Sequence, residues 1–183
     1  MKVATMNVSR LRIFLPALFV LSLAVGALAQ DDTAPAVLRV GELRLTAPAN
    51  WYIVDVPTDE PNVASIIASD EPATEQAVLL VSALPKKGRS LKTMISMNRN
   101  FIVTKMDGVV EYEKARTVNG YPAHTFVYEG RSEHSAQGRR KFMRTIIEKG
   151  NRFYVLQGVA DHEPFQRHAG TLEQLVNSIG WNS

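Results

Sequence analysis

Cysteine is missing from all 183 positions. Its absence excludes disulfide staples, thiol catalysis, thiolate metal sites and a lipidated cysteine at a mature N-terminus. The core must therefore hold by packing alone. No GxSxG turn and no phosphate-cradling glycine loop occurs, so neither a hydrolase nucleophile elbow nor a nucleotide-binding loop is encoded locally. No two of the four histidines, His124, His134, His162 and His168, have the i, i+4 spacing that sets two imidazoles on one helix face. His162-Glu163 begins like such a motif, but Pro164, Phe165 and Gln166 follow, and His168 falls on nearly the opposite side of a helix from His162. No internal repeat is visible, and neither a metal nor any other cofactor is expected.

What is present first is an export pattern. Lys2, Arg10 and Arg12 form a basic start, Ile13 to Ala29 is an apolar run of 17 residues, and Ala27-Leu28-Ala29 is a small-x-small cleavage pattern. Residues 1–29 read as a signal peptide cut after Ala29, followed by a polar leader over 30–36 and a single domain over 37–183. The alternative is an uncleaved anchor, for which the run is short and lacks a charged stop. Ser9-Arg10-Leu11-Arg12 lacks adjacent arginines, which points to the general secretory route and a periplasmic or extracellular location.

The cut changes the charge argument. Removing three basic residues from 21 leaves 18 basic against 18 acidic side chains, a formal net charge of zero for the mature chain. The whole-chain pI of 9.3 therefore gives no support for nucleic-acid binding. Charge is nonetheless unevenly spread. Asp55, Asp59, Glu60, Asp70, Glu71 and Glu75 lie in a segment without lysine or arginine, while Arg131, Arg139, Arg140, Lys141 and Arg144 cluster later. The plain reading is two solvated faces of opposite sign.

Val37–Val40 and Leu43–Leu45 flank Gly41-Glu42 as a small hairpin, and Trp51 is placed to close one end of the core. Short strands are expected over 52–56 and 63–69, parted by the prolines of 57–61. The nearly all-apolar run 76–84 reads as a strand covered on both faces. Ser90 suits an N-cap for a helix over 91–106, whose stripe of Leu91, Met94, Ile95, Phe101 and Ile102 is interrupted nearby by Asn98. Met94 within that stripe reads as core filling rather than a soft-metal ligand. Asn119-Gly120 joins strands over 109–117 and 121–129.

The strongest unit runs from Arg139 to Trp181: strand, Gly150-Asn151 turn, strand, helix. A two-residue turn pairs Lys149 with Arg152, and hence Ile147 with Tyr154, Thr145 with Leu156 and Met143 with Gly158. That face is free of charge. The other face carries Phe142, Arg144, Ile146 and Glu148 opposite Val159, Gln157, Val155 and Phe153, so one polar pair, Arg144 and Gln157, sits amid apolar neighbours. Helix 164–179, with Asp161 or His162 near its N-cap, supplies one covering layer and helix 91–106 the other. The expectation is an α+β fold: an α/β/α sandwich with a mostly antiparallel sheet of six or seven strands and two main helices.

A guanidinium on an apolar strand face must find a carboxylate or reach water, because burying it unpaired costs several kcal/mol. Arg144 is thus expected either to pair with Glu148 or another acid, or to floor an anion-recognising groove with Gln157, rimmed by Arg139, Arg140 and Lys141. No catalytic residue is assigned. A hydrolase site assembled in space, with His124 or His134 as base, is the alternative reading.

Gly41 to Trp51 (GELRLTAPANW), the central helix, Val118 to Ala123 (VNGYPA), Arg152 to Leu156 (RFYVL) and Leu175 to Trp181 (LVNSIGW) together resemble the PsbP-like family. This family includes the extrinsic photosystem II subunit, the Ran-binding Mog proteins and bacterial envelope proteins such as DcrB. The resemblance implies an α/β/α sandwich used as an accessory or binding module, with an envelope protein or small ligand as partner and no shared reaction. Its motifs are structural, so no active-site residue carries over. Unlike the lipoprotein members, this chain has no cysteine for a lipid tether.

Overall fold

The computed structural model describes residues 36–54, 63–69, 71–72, 75–133, 135 and 138–182, which fall within one unit spanning Thr33–Ser183. In chain order its elements are β1 (Val37–Val40), β2 (Leu43–Thr46), β3 (Trp51–Val54), β4 (Val63–Ser69), β5 (Val78–Pro85), α1 (Leu91–Lys105), β6 (Val109–Val118), β7 (Tyr121–Arg131), β8 (Arg139–Lys149), β9 (Arg152–Ala160), α2 (His162–Asn177) and β10 (Gly180–Trp181). Seven strands form one sheet in the order β3-β4-β5-β9-β8-β7-β6, and every neighbouring pair is antiparallel.

The turns set the register. Asn119 and Gly120 both hold positive φ, 42° and 84°, the backbone of a tight turn whose twist suits two antiparallel strands. At the second hairpin Gly150 alone takes positive φ, 55°, and β8 and β9 pair as Lys149↔Arg152, Ile147↔Tyr154, Thr145↔Leu156 and Arg144↔Gln157. This is the expected register. Because side chains alternate, it assigns the odd-numbered residues of β8 to one face and the even-numbered ones to the other.

Each face has its own cover. Met143, Ile147, Tyr154 and Leu156 pack with Phe165, Leu172, Leu175 and Val176 of α2 and with Leu38, Val40, Leu43 and Leu45 of the N-terminal hairpin. Phe126, Tyr128, Phe142, Ile146, Phe153 and Val159 pack on the other side with Met94 and Ile102 of α1. Burying each large apolar side chain stabilises the domain by about 1.5–3 kcal/mol, so the two helices gain most of their stability from the sheet. Local chemistry fixes where α1 starts. Ser90 Oγ accepts from the Thr93 amide at 3.1 Å, a cap worth about 1 kcal/mol.

The N-terminal hairpin stands apart from the large sheet: β1 and β2 form a three-stranded sheet with β10, in which Gly180 pairs with Arg44 and Trp181 with Leu43. The last helix ends at Asn177, which frees the chain to make that two-residue strand. Aromatic contacts lock the small sheet onto the large one. Trp181 meets the edges of Tyr121 and Tyr154 at centroid distances of 5.2 and 5.1 Å, and the Lys149 ammonium lies over Tyr121 and Trp181 while it pairs with Glu42. At the other end of the core Trp51, 5% exposed, lies edge-on to His168, whose Nε2 is 2.8 Å from Glu71 Oε2. Neighbouring structure explains both buried imidazole and ring without a catalytic role.

Candidate functional site

Parity along β8 separates Arg144 from Arg139 and Lys141, while Arg140, of the same parity as Arg144, reaches the Asp161 carboxylate at the end of the strand. Arg139 and Lys141 share a face with Met143, whereas Arg144 belongs with Phe142 and Ile146. Arg144 and Lys141 therefore face different layers.

Arg144 is 7% exposed and lies beneath α1. Its Nε donates to Gln157 Oε1 at 2.7 Å, Nη2 donates to the same oxygen, and Nη1 donates to Asn98 Oδ1 at 2.8 Å. Its guanidinium carbon is 5.5 Å from the centre of the Phe101 ring and 5.8 Å from that of Tyr128. Among the described residues no carboxylate forms an ion pair with it; Glu148, the expected partner, pairs with Lys86. Nor does the group floor an open groove, since α1 covers it. Two amide oxygens and two aromatic faces take the place of a counter-ion, which works because Arg carries a diffuse, weakly hydrated charge. Burial raises the Tyr128 phenol above its ordinary value, against the pull of the Arg144 charge. Sequence reasoning missed Asn98. Its one signal was a polar residue beside an apolar helical stripe, and its Nδ2 also donates to the Met94 carbonyl at 2.8 Å, which fixes the amide for Arg144.

The other three predicted residues meet elsewhere. Arg139, Arg140 and Lys141 line a recess of about 140 Å³ together with Glu129 of β7 and His162 of α2. Register explains Glu129, which lies opposite Lys141 on the neighbouring strand. Arg139 Nε donates to Glu129 Oε1 at 2.6 Å and its Nη2 to the Asp107 carbonyl at 3.0 Å. Arg140 Nε donates to Asp161 Oδ1 at 2.9 Å. Lys141 pairs with Glu111 and lies 3.9 Å from Glu129 Oε2, and burial lowers its ammonium pKa. Glu111 reaches it from a register shift between Val110 and Tyr112 of β6. Asp161 is the N-cap residue of α2, yet its side chain makes no cap hydrogen bond. The first turn of α2 thus opens beside the recess without a side-chain cap, and its partial positive charge adds to the three cations.

His124, the candidate base, is 9% exposed and sits 3.1 Å from Glu113 Oε2, tilted against Phe126 at 4.8 Å between centroids. The other Glu113 oxygen pairs with Arg99 of α1. The arrangement ties α1, β6 and β7 together. His134 lies outside the described residues. Among the described residues no group of three or more His, Asp or Glu side chains is placed to hold a metal ion.

A second carboxylate has the same tying role and gives a pH prediction. Glu173 of α2 accepts from Arg116 Nη1 at 2.7 Å and Lys114 Nζ at 3.2 Å, both on β6. Burial alone raises its pKa, but hydrogen bonds and charge from Arg116 and Lys114 outweigh it and hold the carboxyl below the ordinary value of 4.5. A pKa lowered in the folded state contributes stability that is present above 4.5 and lost as pH falls through the lowered value. Glu173→Gln is expected to cost up to about 1 kcal/mol at neutral pH, with the difference from wild type vanishing in acid. Urea unfolding of both proteins across pH measures it. A difference that persists unchanged in acid contradicts the ion-pair origin.

No family model matches the sequence, and no curated protein is similar to it at a significant level. Solved structures do match. Cyanobacterial PsbP (CyanoP) from Synechocystis is 14% identical with a TM-score of 0.57, over 77% of this chain and 87% of that one. LpqN, involved in cell envelope biogenesis of Mycobacterium tuberculosis, is 14% identical with a TM-score of 0.54, over 77% and 83%. The Ran-binding protein Mog1p of Saccharomyces cerevisiae is 11% identical with a TM-score of 0.52, over 77% and 90%. At such identities the likeness speaks for architecture alone, and it agrees with the sandwich described above. The chain has the α/β/α fold shared by PsbP and Mog1, as the resemblance of its motifs implies.

Proposed function

We propose that this chain is an exported accessory protein of the cell envelope without catalytic activity of its own, which takes a partner through an anionic group seated in the recess at the start of α2. The observation that carries the reading is the convergence of Arg139, Arg140, Lys141 and His162 on one concave site beside an uncapped helix start. Arg144 and Gln157 contribute by holding α1 to the sheet rather than by contact. In support, solved structures of this fold include an envelope-biogenesis protein and a Ran-binding protein, and no described helix is long and apolar enough to cross a membrane. The export route and the cut after Ala29 rest on the sequence pattern, which lies outside the described residues.

The recess is already matched by its own acids, so a ligand carboxylate or phosphate would exchange with one of them. Asp161 is the group suited to yield. Its backbone is extended at φ −64°, ψ 166°, the conformation of a capping residue, so its carboxylate can turn from Arg140 to the α2 amides as the ligand enters. The exchange conserves hydrogen bonds, which keeps its cost low. Arg139→Glu/Arg140→Glu is expected to reduce capture of the wild-type protein's partner from envelope extract by at least tenfold, while the fold persists because both pairs are partly exposed. Undiminished capture by the double variant would sink the recess. The pair of His124 with Glu113 is the one observation favouring a hydrolase, and a substrate panel cleaved by wild type but not by His124→Gln would install that reading instead.

A further inference from the structure

Residues 86–106 carry six basic side chains, Lys86, Lys87, Arg89, Lys92, Arg99 and Lys105, and no acidic one. Most of the run is α1, which covers the face of the large sheet opposite α2. Not all six charges look outward unmatched. Lys86 pairs with Glu148, Arg99 with Glu113, and the Arg89 guanidinium donates to the Lys86 and Pro85 carbonyls. Lys87, Lys92 and Lys105 are exposed, and among the described residues none of them has an ion-pair partner. The nearby acids are neutralised already: Glu148 and Glu113 as above, and Asp107 by Arg131 and Arg139.

The same helix carries exposed apolar groups. Val103 is 55% and Met97 37% exposed, and at 100° per residue both fall on the outer half of α1 with Lys92 and the neutral Thr93, Ser96 and Asn100. Unmatched ammonium groups thus stand ahead of the first turn at Lys87 and within it at Lys92, next to two outward apolar side chains, while Lys105 in the last turn is exposed at the helix end but shares the angular sector of the buried Met94.

We propose that the outer face of α1 is a docking surface for an anionic phospholipid bilayer. Charge complementarity selects an anionic partner, and shape selects among anionic partners. The outer face of a helix is convex and this one lacks aromatic anchors, whereas a protein partner is typically gripped by Trp, Tyr or Arg anchors seated in pockets. A fluid lipid surface needs neither. It supplies a negative potential that attracts each nearby lysine about fivefold, and a boundary into which Met97 and Val103 can dip. The surface shares no residue with the recess at the start of α2, although Arg139 of the recess bonds to Asp107, two residues beyond Lys105.

The test uses the mature chain recovered after export and sedimented with vesicles at low salt. Wild-type protein is expected to sediment with vesicles of equal parts phosphatidylglycerol and phosphatidylcholine and to stay in solution with phosphatidylcholine alone. Lys87→Glu/Lys92→Glu is expected to weaken partitioning about twenty-fivefold, the product of two lysine contributions, and adding Lys105→Glu, at the helix end on the sheet-facing side, should weaken it by less than a further fivefold. Val103→Ser/Met97→Ser should weaken it by a smaller factor, and added salt should release the wild-type protein by screening. All five side chains are outside the core, so circular dichroism should be unchanged. Wild-type protein that ignores the mixed vesicles, sediments equally with phosphatidylcholine, or binds no better than the triple variant overturns the proposal. Retention on immobilised polyglutamate without vesicle binding overturns it in favour of an acidic protein surface.

Discussion

Gln157→Leu is expected to destabilise the domain by about 3–5 kcal/mol, because it removes the acceptor of two guanidinium hydrogen bonds and leaves Arg144 charged beneath α1. Leucine nearly matches glutamine in volume, so packing loss is a minor part of that cost. The guanidinium cannot simply swing into water, since Phe101 and Tyr128 flank it and Asn98 holds its Nη1. Arg144→Met removes the charge itself and leaves only neutral amides without a partner, at about 1–3 kcal/mol. The double variant Arg144→Met/Gln157→Leu should be more stable than Gln157→Leu alone, as replacing a whole buried polar pair by apolar groups often is. Urea denaturation of the three variants gives the cycle. A Gln157→Leu protein within about 0.5 kcal/mol of wild type would mean that Arg144 reaches solvent, and the groove reading would return. Partner capture by the double variant separates the roles further: if Arg144 is a structural tie, capture survives.

Leu172→Ala is the second large effect. Leu172 of α2 is fully buried, and truncation should cost about 2–5 kcal/mol through lost burial and the cavity left behind. What it rests on is unusual: a Cβ built on Gly158 of β9 would stand 2.8 Å from Leu172 Cδ1 and 2.9 Å from Cδ2. Glycine at this position lets α2 approach the strand closely. Gly158→Ala alone should therefore cost about 1–3 kcal/mol by overpacking, since the added methyl forces the fully buried Leu172 side chain to shift. Together the two changes should cost less than their sum, because the methyl group added on β9 fills part of the space that the leucine vacates. Thermal or urea unfolding of both singles and the double checks this. Strict additivity would show that strand and helix do not meet there.

These two tests divide along the line between local and distant contacts. The β8–β9 register, the Ser90 cap and the Asn119-Gly120 hairpin were all legible because each depends on residues a few positions apart. Alternation then gave the polar pair Arg144 and Gln157 directly, since residues facing each other across a two-residue turn are fixed by counting. What Arg144 does was not legible. Its third bond goes to Asn98, 46 positions away, and whether a helix lies over a strand face depends on how two elements dock, which no local pattern states. The expected salt bridge failed for a related reason: Glu148 was near in sequence, but Lys86, 62 positions from it, reached it first.

Apart from the two-residue β10, the strands and helices, the side chains that share a face of the central hairpin and the run of three cations on β8 all follow from local pattern. Their periodicity and turn residues act over one or two turns of chain and need no other element. Tertiary contacts alone brought the N-terminal hairpin to β10, enclosed Arg144 with amides and rings, and gathered Arg139, Arg140 and Lys141 with Glu129 and His162 at the start of α2. Each of those outcomes depends on contacts closed across long loops, where the gain comes from burying whole faces against each other and the local pattern is silent about the partner.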